Sequence, residues 1–364
     1  MFEWNAEYVD EIVKEAVEKV FDVESWGKDE HSEMWVFEGR FRIHPVNAAN
    51  YLQNTFEPLK FFVAIKKLKD GKFKIVILKQ RPVPKTKIGI HLLLLFATLI
   101  TTFFWGATYE IGDFPKTFSE FLQGYKFALP LLLILGSHEL GHFFVSRHHG
   151  VDATLPYFIP FPFNMIGTLG AFIKIRSPIP SRNVLIDIGA AGPIAGIIVA
   201  IPLTIIGLKT SEVVSIESAK GSIWLGEPLL FKLLSTVVIG GKLLTEGLTL
   251  KLSATAFAGW VGMFVTALNL IPVGQLDGGH ISYAILGENA HKLSKIMVLL
   301  LIVLGFKWMG WLFWAILLLV LGVSHPAPMN DILPVDNKRK FIAFVSLLIF
   351  VLTFIPQPIS FVGQ

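Results

Sequence analysis

The spacing of hydrophobic residues changes near residue 87, and this change divides the chain into two parts. Before it, apolar residues recur at helical or alternating intervals among charged residues, as in a water-soluble domain. The predicted elements are a helix over 9–20, a strand over 34–43, a helix over 47–59 and a hairpin of strands 60–68 and 72–78 that turns at Asp70-Gly71. We therefore predict a small cytosolic α+β domain over residues 1–86.

Beyond that point, long apolar runs dominate, and their lengths suit a hydrocarbon layer of about 30 Å. The predicted spans are residues 88–107, 124–147, 183–208, 252–272, 290–306, 309–323 and 339–356. Residues 87–364 are thus predicted to form a multi-pass α-helical membrane domain of about six to seven transmembrane helices. Trp308, Trp311 and Trp314 are predicted to form an interfacial belt.

The composition supports the same class of protein. Hydrophobic residues make up 53% of the chain, charged residues 16%, and the mean hydropathy is +0.59. In soluble domains about a quarter of the residues are charged, so an ordinary soluble protein is excluded. The absence of cysteine excludes disulfides, thiolate metal sites and a cysteine nucleophile. Residues 1–20 are acidic and lack the layout of a targeting peptide, so we expect a prokaryotic cell membrane.

Positive charges near the spans predict the orientation. They are Lys79, Arg81, Lys85 and Lys87 before the first span, Arg147 after the second, Lys174, Arg176 and Arg182 before the third, Lys292 and Lys295 at the fifth, and Lys338, Arg339 and Lys340 at the seventh. With the N-terminal domain in the cytosol, alternate crossing places all of these groups on the cytosolic side. Residues 209–251, predicted to lie outside, carry five lysines against four glutamates and oppose this assignment.

A motif of ionisable residues, H-E-x-x-H at residues 138–142, interrupts the second predicted span. His138 and His142 lie four residues apart, so on a helix they share a face and both reach one metal ion, with Glu139 beside them. Polar groups at this depth cost roughly a few kcal/mol each, which metal coordination would offset. The alternative is a hydrogen-bonded cluster that only joins helices. Counted from Arg147, the two histidines lie about 8 Å and about 14 Å inside the membrane.

A third metal ligand is expected, because catalytic zinc sites usually have three protein ligands and a water. Residues 267–280 end the fourth predicted span at a similar depth, in a Gly-rich context after Pro272. We predict Asp277 as this ligand; the alternative is an aspartate that caps the next helix. His280 is interpreted as a surface histidine at a loop end, with metal binding as its alternative.

The H-E-x-x-H motif, followed later in the chain by a second motif, resembles the motif pair of the site-2 proteases, the intramembrane zinc metalloproteases. The second motif is N-x-x-P-x-x-x-L-D-G, which Asn269, Pro272, Leu276, Asp277 and Gly278 match position by position. Residues 167–196 are similar to the family's membrane-associated β segment and the glycine-rich start of its next helix. The resemblance covers residues 88–330, and more loosely the soluble domain of the chloroplast and cyanobacterial branch. His280 departs from that branch, which often carries arginine there.

The resemblance implies a role for each matching residue. His138, His142 and Asp277 would bind zinc, one ion per chain. Glu139 would be the general base, and Asn269 would orient the substrate or stabilise the oxyanion. The implied activity is intramembrane proteolysis, with transmembrane proteins as substrates, the lipid bilayer as the surroundings and no nucleic-acid partner.

Three alternatives remain open at the level of sequence. Residues 167–175 would pair with an unwound substrate as a strand edge, or form a packed hairpin without substrate contact. A metal transporter would carry more acidic residues and histidines through several spans. An inactive relative would act as a membrane chaperone or scaffold, a role that the intact Glu139 disfavours.

Overall fold

A computed structural model describes residues 6–29, 33–68, 70–80, 84, 86–219, 221–240 and 247–361. Its internal contacts divide the chain into two compact units. The first takes the chain up to Pro84 together with Pro178–Leu185 and Pro326–Asp336, and the second takes the remainder. Arg81 and Lys85, two of the basic residues before the first predicted span, lie outside the described residues.

The first unit contains a four-stranded antiparallel sheet and two helices. Its elements are α1 (Ala6–Glu18), β1 (Phe21–Asp29), β2 (Met34–Phe41), α2 (Pro45–Phe56), β3 (Phe61–Lys67) and β4 (Phe73–Lys79). The strands lie in the order β1-β2-β4-β3. Strand β1 was not predicted, because most of its side chains are exposed and it shows little alternation of apolar and polar residues.

The core of this unit lies between the helices and one face of the sheet. Val17 of α1, Leu52 of α2, and Phe37 and Ile77 of the sheet are fully buried there. This is the arrangement that alternating strands and amphipathic helices produce in water.

Two later segments of the chain complete the edge of this sheet. The Ile65 N–H donates to the Met329 carbonyl at 2.8 Å, and the Met329 N–H donates to the Ile179 carbonyl at 2.9 Å. The domain predicted over residues 1–86 did not include these segments, which are distant in sequence and too short to show a strand pattern.

The second unit is mostly helical. Its elements are α3 (Ile88–Ile111), α4 (Phe118–Leu122), α5 (Tyr125–His148), β5 (Tyr157–Pro160), β6 (Thr168–Phe172), α6 (Arg182–Lys209, which begins in the first unit), β7 (Glu212–Ser215), β8 (Ile223–Leu225), α7 (Leu229–Ile239), β9 (Leu248–Lys251), α8 (Ala254–Asn269), α9 (Asp277–Leu286), α10 (Ala290–Leu304), α11 (Met309–Leu321), α12 (Asn337–Thr353) and β10 (Ile359–Phe361). The short strands pair as β5-β6, β7-β9 and β8-β10.

Three stretches of helix are long and apolar enough to cross a membrane within the described part of the chain: Ile88–Ile111, Phe118–His148 and Arg182–Lys209. The other four predicted spans correspond to the shorter helices α8, α10, α11 and α12, so the total of six to seven spans stays a prediction. Helices α7 and α9 were not predicted, and α9 matters most because it begins at Asp277.

Helix α5 is the central element of the second unit and packs against α3 and α8. Pro130 lies inside α5 and lacks an N–H, so the Lys126 carbonyl loses its helical partner. The Thr255 hydroxyl of α8 donates to that carbonyl at 2.7 Å and replaces the missing bond.

The prediction that the three tryptophans form an interfacial belt is wrong for Trp311. This side chain is fully buried in a cluster with Trp308 and Trp314, and its indole N–H donates to the Pro356 carbonyl at 2.9 Å.

Candidate metal centre

The H-E-x-x-H motif lies on one buried face of α5. His138, Glu139 and His142 are 3%, 6% and 6% exposed, and their ligand atoms all lie within 4.8 Å of one another. The spacing places both imidazoles on the same side of the helix, as the sequence predicted.

The orientation of His142 is set by a neighbouring helix. Its Nδ1 lies 2.7 Å from the Ile188 carbonyl oxygen of α6. Because a carbonyl oxygen only accepts, Nδ1 must carry the proton and the neutral ring presents a lone pair at Nε2. This is the tautomer that a metal-binding histidine needs.

Asp277 brings a carboxylate to both histidines from a distant part of the sequence. Its Oδ2 lies 3.1 Å from His138 Nε2, and its Oδ1 lies 3.2 Å from His142 Nε2. The residue occupies the first turn of α9, where the partial positive charge of a helix N-terminus favours a carboxylate.

The donor set fits a metal cation. The Nε2 lone pair of neutral His142 and the Asp277 carboxylate both accept, yet they face each other at 3.2 Å. Two buried acceptors in this arrangement require a cation between them, either a proton or a metal ion. Two imidazole nitrogens with one carboxylate oxygen are a common ligand set for catalytic zinc.

Two further polar side chains border these three residues. Glu139 Oε1 lies 4.0 Å from His138 Nε2, and Glu139 and Ile173 line the same cavity. The Asn269 side-chain amide, at the end of α8, lies with Nδ2 3.2 Å from His138 Nε2. All five residues singled out in the sequence therefore lie together.

A cavity of about 170 Å³ adjoins this cluster. Besides the five residues it is lined by His280 and Gln275, by Phe172 at the end of β6 and by Ile173 after it. Strand β6 pairs only with β5 within the described residues, and Tyr157 faces Phe172 in their register. The stretch that was predicted to be an edge strand thus lies beside the polar cluster.

Glycines of α6 allow this helix to approach the histidines. A Cβ at Gly192 would overlap the imidazole of His142, and one at Gly196 would come within 3.3 Å of His138 Nδ1. Gly189 is equally close to α9, where a Cβ would lie 2.9 Å from that of His280. The small residues of the 189–196 stretch are therefore required by close helix packing around the site.

The interpretation of His280 as a surface histidine at a loop end is wrong. It lies inside α9, lines the cavity, and its Nδ1 is 2.5 Å from Nε2 of His325. His325 could not be identified from the sequence, since no local motif surrounds it and His280 lies 45 positions away.

Comparison with known proteins agrees with this geometry. Residues 126–306, roughly half of the chain, match the model of Peptidase family M50. A protein of Arabidopsis thaliana named "Probable zinc metalloprotease EGY2, chloroplastic" is 30% identical over 244 residues, which cover 66% of this chain and 43% of that protein. The Arabidopsis thaliana "Probable zinc metalloprotease EGY1, chloroplastic" is 34% identical over 247 residues, or 63% of this chain and 43% of the relative.

A rice relative matches over a larger part of the chain than these two. The Oryza sativa subsp. indica "Probable zinc metalloprotease EGY2, chloroplastic" is 27% identical over 343 residues, covering 90% of this chain and 62% of that protein. The chain thus spans about two fifths to three fifths of the length of these relatives. No solved structure matches it. These relatives are chloroplast proteins by name, so they do not support the predicted prokaryotic cell membrane.

Membrane-length helices and a buried His-Glu-His cluster are features that this chain shares with the membrane-embedded zinc proteases as a class. The matching domain specifies the family: the chain belongs to peptidase family M50, the site-2 proteases. The resemblance inferred from the two sequence motifs is confirmed.

Proposed function

We propose that this protein is an intramembrane zinc endopeptidase that cleaves transmembrane segments of other membrane proteins. The observation that carries the proposal is the meeting of three side chains from two helices, His138, His142 and Asp277, in a cavity that also holds Glu139. An arrangement this polar is costly inside a membrane protein and is typical of a functional site.

His138, His142 and Asp277 are the proposed zinc ligands. The His142 Nδ1–H bond to Ile188 fixes one ring, and Gly192 leaves room for that ring on α6. A bound zinc ion would supply Lewis-acid activation of a water molecule and of the scissile carbonyl.

Glu139 is the proposed general base. Its carboxylate is buried, lines the cavity and lies beside the proposed zinc ligands. It would accept a proton from the attacking water and later return that proton to the leaving amine nitrogen. General acid–base catalysis of this kind is worth about 10²–10⁴-fold in rate.

Asn269 is the proposed donor to the substrate carbonyl. Its side-chain amide lies at the His138 end of the site and can orient a peptide oxygen or stabilise the charge that develops there. We expect a fall in kcat when this amide is removed, because charge stabilisation acts in the transition state.

The substrate must be extended at the cut, since helical hydrogen bonds cover its carbonyl groups. We propose that the unwound segment pairs with β6 and its continuation through Ile175, which line the cavity. We place the cut near the side of the membrane that carries the positively charged flanks. The first unit would then control access or recognise substrates on that side.

The test uses the full-length protein purified in detergent with a single-pass model substrate. Glu139→Gln should lower the cleavage rate by at least about 10²-fold, while the zinc content stays at that of the wild type. Glu227→Gln, at an exposed position, is the matched control and should cleave normally. Cleavage that persists in zinc-loaded Glu139→Gln would refute the mechanism. Zinc binding without any cleavage by the wild type would favour the scaffold alternative.

A further inference from the structure

A second pair of histidines lies at the edge of the same cavity. His280 follows Asp277 by three residues on α9, so the two side chains share a face of that helix. His280 lines the cavity but is not one of the proposed zinc ligands. Its own neighbour is His325, which follows α11 in the chain.

The two rings are held in a defined geometry. His280 Nδ1 lies 2.5 Å from His325 Nε2, and the ring planes cross at 85° with their centroids 4.7 Å apart. His325 is only 7% exposed and stacks on the ring of Tyr283 at 4.9 Å. Its backbone N–H points to His291 Nε2 at 3.4 Å. The position of His325 is therefore set by its surroundings.

The short nitrogen–nitrogen contact argues against a second metal site. Two histidine nitrogens bound at about 2.0–2.1 Å to one tetrahedral zinc ion lie more than about 3 Å apart. Instead, an N–H of one ring donates a hydrogen bond to a ring nitrogen of the other. Because this contact uses Nδ1 of His280, only its Nε2 remains for a ligand in the cavity.

An extended substrate needs hydrogen-bond donors in this cavity. Each unwound residue exposes a carbonyl oxygen, and leaving that oxygen without a hydrogen bond inside a membrane protein is energetically costly. Neither acidic side chain of the cavity, Glu139 or Asp277, can donate when ionised. A neutral histidine with its proton on Nε2 meets this need without adding charge.

We propose that His280 is a substrate-positioning residue whose Nε2–H donates to a peptide carbonyl oxygen of the unwound segment. His325 donates to Nδ1 of His280 and thereby keeps the proton of His280 on Nε2. This inference rests on the proposed function, since it assumes that a peptide enters the cavity. It assigns His280 to substrate binding and His325 to the orientation of His280.

Replacing His280 by glutamine or by asparagine distinguishes the roles of its two ring nitrogens. The amide of His280→Gln reaches near the position of Nε2 and retains a donor there, whereas His280→Asn replaces only the Nδ1 end. His325→Phe keeps an aromatic ring against Tyr283 and removes the donor to His280. His148→Asn, an exposed histidine on α5, is the matched control.

The primary measurement is binding, made in a Glu139→Gln background so that no substrate is consumed. The probe is a fluorescent synthetic peptide of one transmembrane segment with a Gly-Pro pair that unwinds it. His280→Asn and His325→Phe should each raise Kd about five- to tenfold, the size of one hydrogen bond. His280→Gln and His148→Asn should stay within about twofold, and the first two effects should not add in the double variant.

In the zinc-loaded protein with an intact Glu139, the same two variants should raise KM by a similar factor with kcat within about twofold, since the bond is present in the ground state and the transition state alike. Equal losses in His280→Gln and His280→Asn, unchanged Kd in His280→Asn, or loss of zinc in either variant would overturn the proposal. A Kd shift without any cleavage by the wild type would leave His280 as a binding residue and refute the protease instead.

Discussion

In the first unit Phe21, Phe37 and Ile77 are fully buried, whereas in the second unit Leu133 and Phe144 face outward and the polar residues lie inside. Leu133 is 56% and Phe144 63% exposed on α5, the helix whose opposite side holds His138 and Glu139. Water forces apolar side chains into a core, while lipid accepts them on the surface. An interior polar cluster is therefore informative in the second unit, where no solvent accounts for it.

The largest expected effect concerns the interior of the second unit. Asp277→Asn keeps the shape of the side chain but removes the charge that faces both histidines. Loss of residues that only support metal ligands costs about 10–100-fold in affinity, so loss of a ligand should exceed about 100-fold. Zinc titration of the purified protein measures this. An affinity within about threefold of the wild type would exclude Asp277 as a ligand.

Replacing phenylalanine by alanine should cost much more stability in the core of the first unit than on the outer face of the second. Phe37→Ala opens a cavity in the soluble core and should destabilise that unit by about 3–5 kcal/mol. Phe144→Ala removes a side chain from an exposed face of α5 and should change stability by less than about 1 kcal/mol. Hydrogen exchange of the full-length protein resolves both. Equal protection losses would contradict the contrast between the two surfaces.

Helix packing around the site provides a third, smaller effect. Gly192→Ala places a methyl group against the His142 ring, and a displacement of about 1 Å at a catalytic site can cost about 10²-fold in rate. Gly136→Ala is the control, because its Cβ would meet only Phe158 at an ordinary 3.8 Å. Cleavage rates at saturating zinc compare the two. Normal cleavage by Gly192→Ala would show that the ring tolerates the displacement.

The smallest effect concerns backbone hydrogen bonding in the interior. Thr255→Val removes the donor to the Lys126 carbonyl that Pro130 leaves unpaired, and should cost about 0.5–1.5 kcal/mol. Thr108→Val is the control, because the Thr108 hydroxyl bonds a carbonyl within its own helix at 2.9 Å. Thermal unfolding in detergent measures the difference. A larger loss for Thr108→Val would contradict this account of the proline.

The sequence was sufficient to predict the parts of the site that depend on local spacing. The i, i+4 relation of His138 and His142 requires only that the span be helical, and it is. Asp277 was predicted for a different reason. The fourth predicted span ends at a membrane depth similar to that of the histidines, and few ionisable residues lie there. The structure places its carboxylate 3.1 Å and 3.2 Å from the two rings.

Features that depend on close tertiary packing could not be predicted. The Gly-rich context of residues 267–280 favoured irregular chain, yet Gly278 and Gly279 both lie in α9, where a Cβ would overlap the Leu270 and Gly274 carbonyls. The glycines are there for close approach of backbone, a property without a local pattern. The His280–His325 pair and the buried Trp311 likewise depend on which distant segments meet.

The central claim is that a histidine pair from α5 and a carboxylate from α9 bind one metal ion. Zinc-edge X-ray absorption of the purified wild type tests it most directly, with His142→Ala alongside. We predict one zinc ion per chain with two imidazoles in its inner shell at about 2.0–2.1 Å, and a loss of imidazole scattering in the variant. A wild type that takes up no zinc, or imidazole scattering that survives His142→Ala unchanged, would contradict the account.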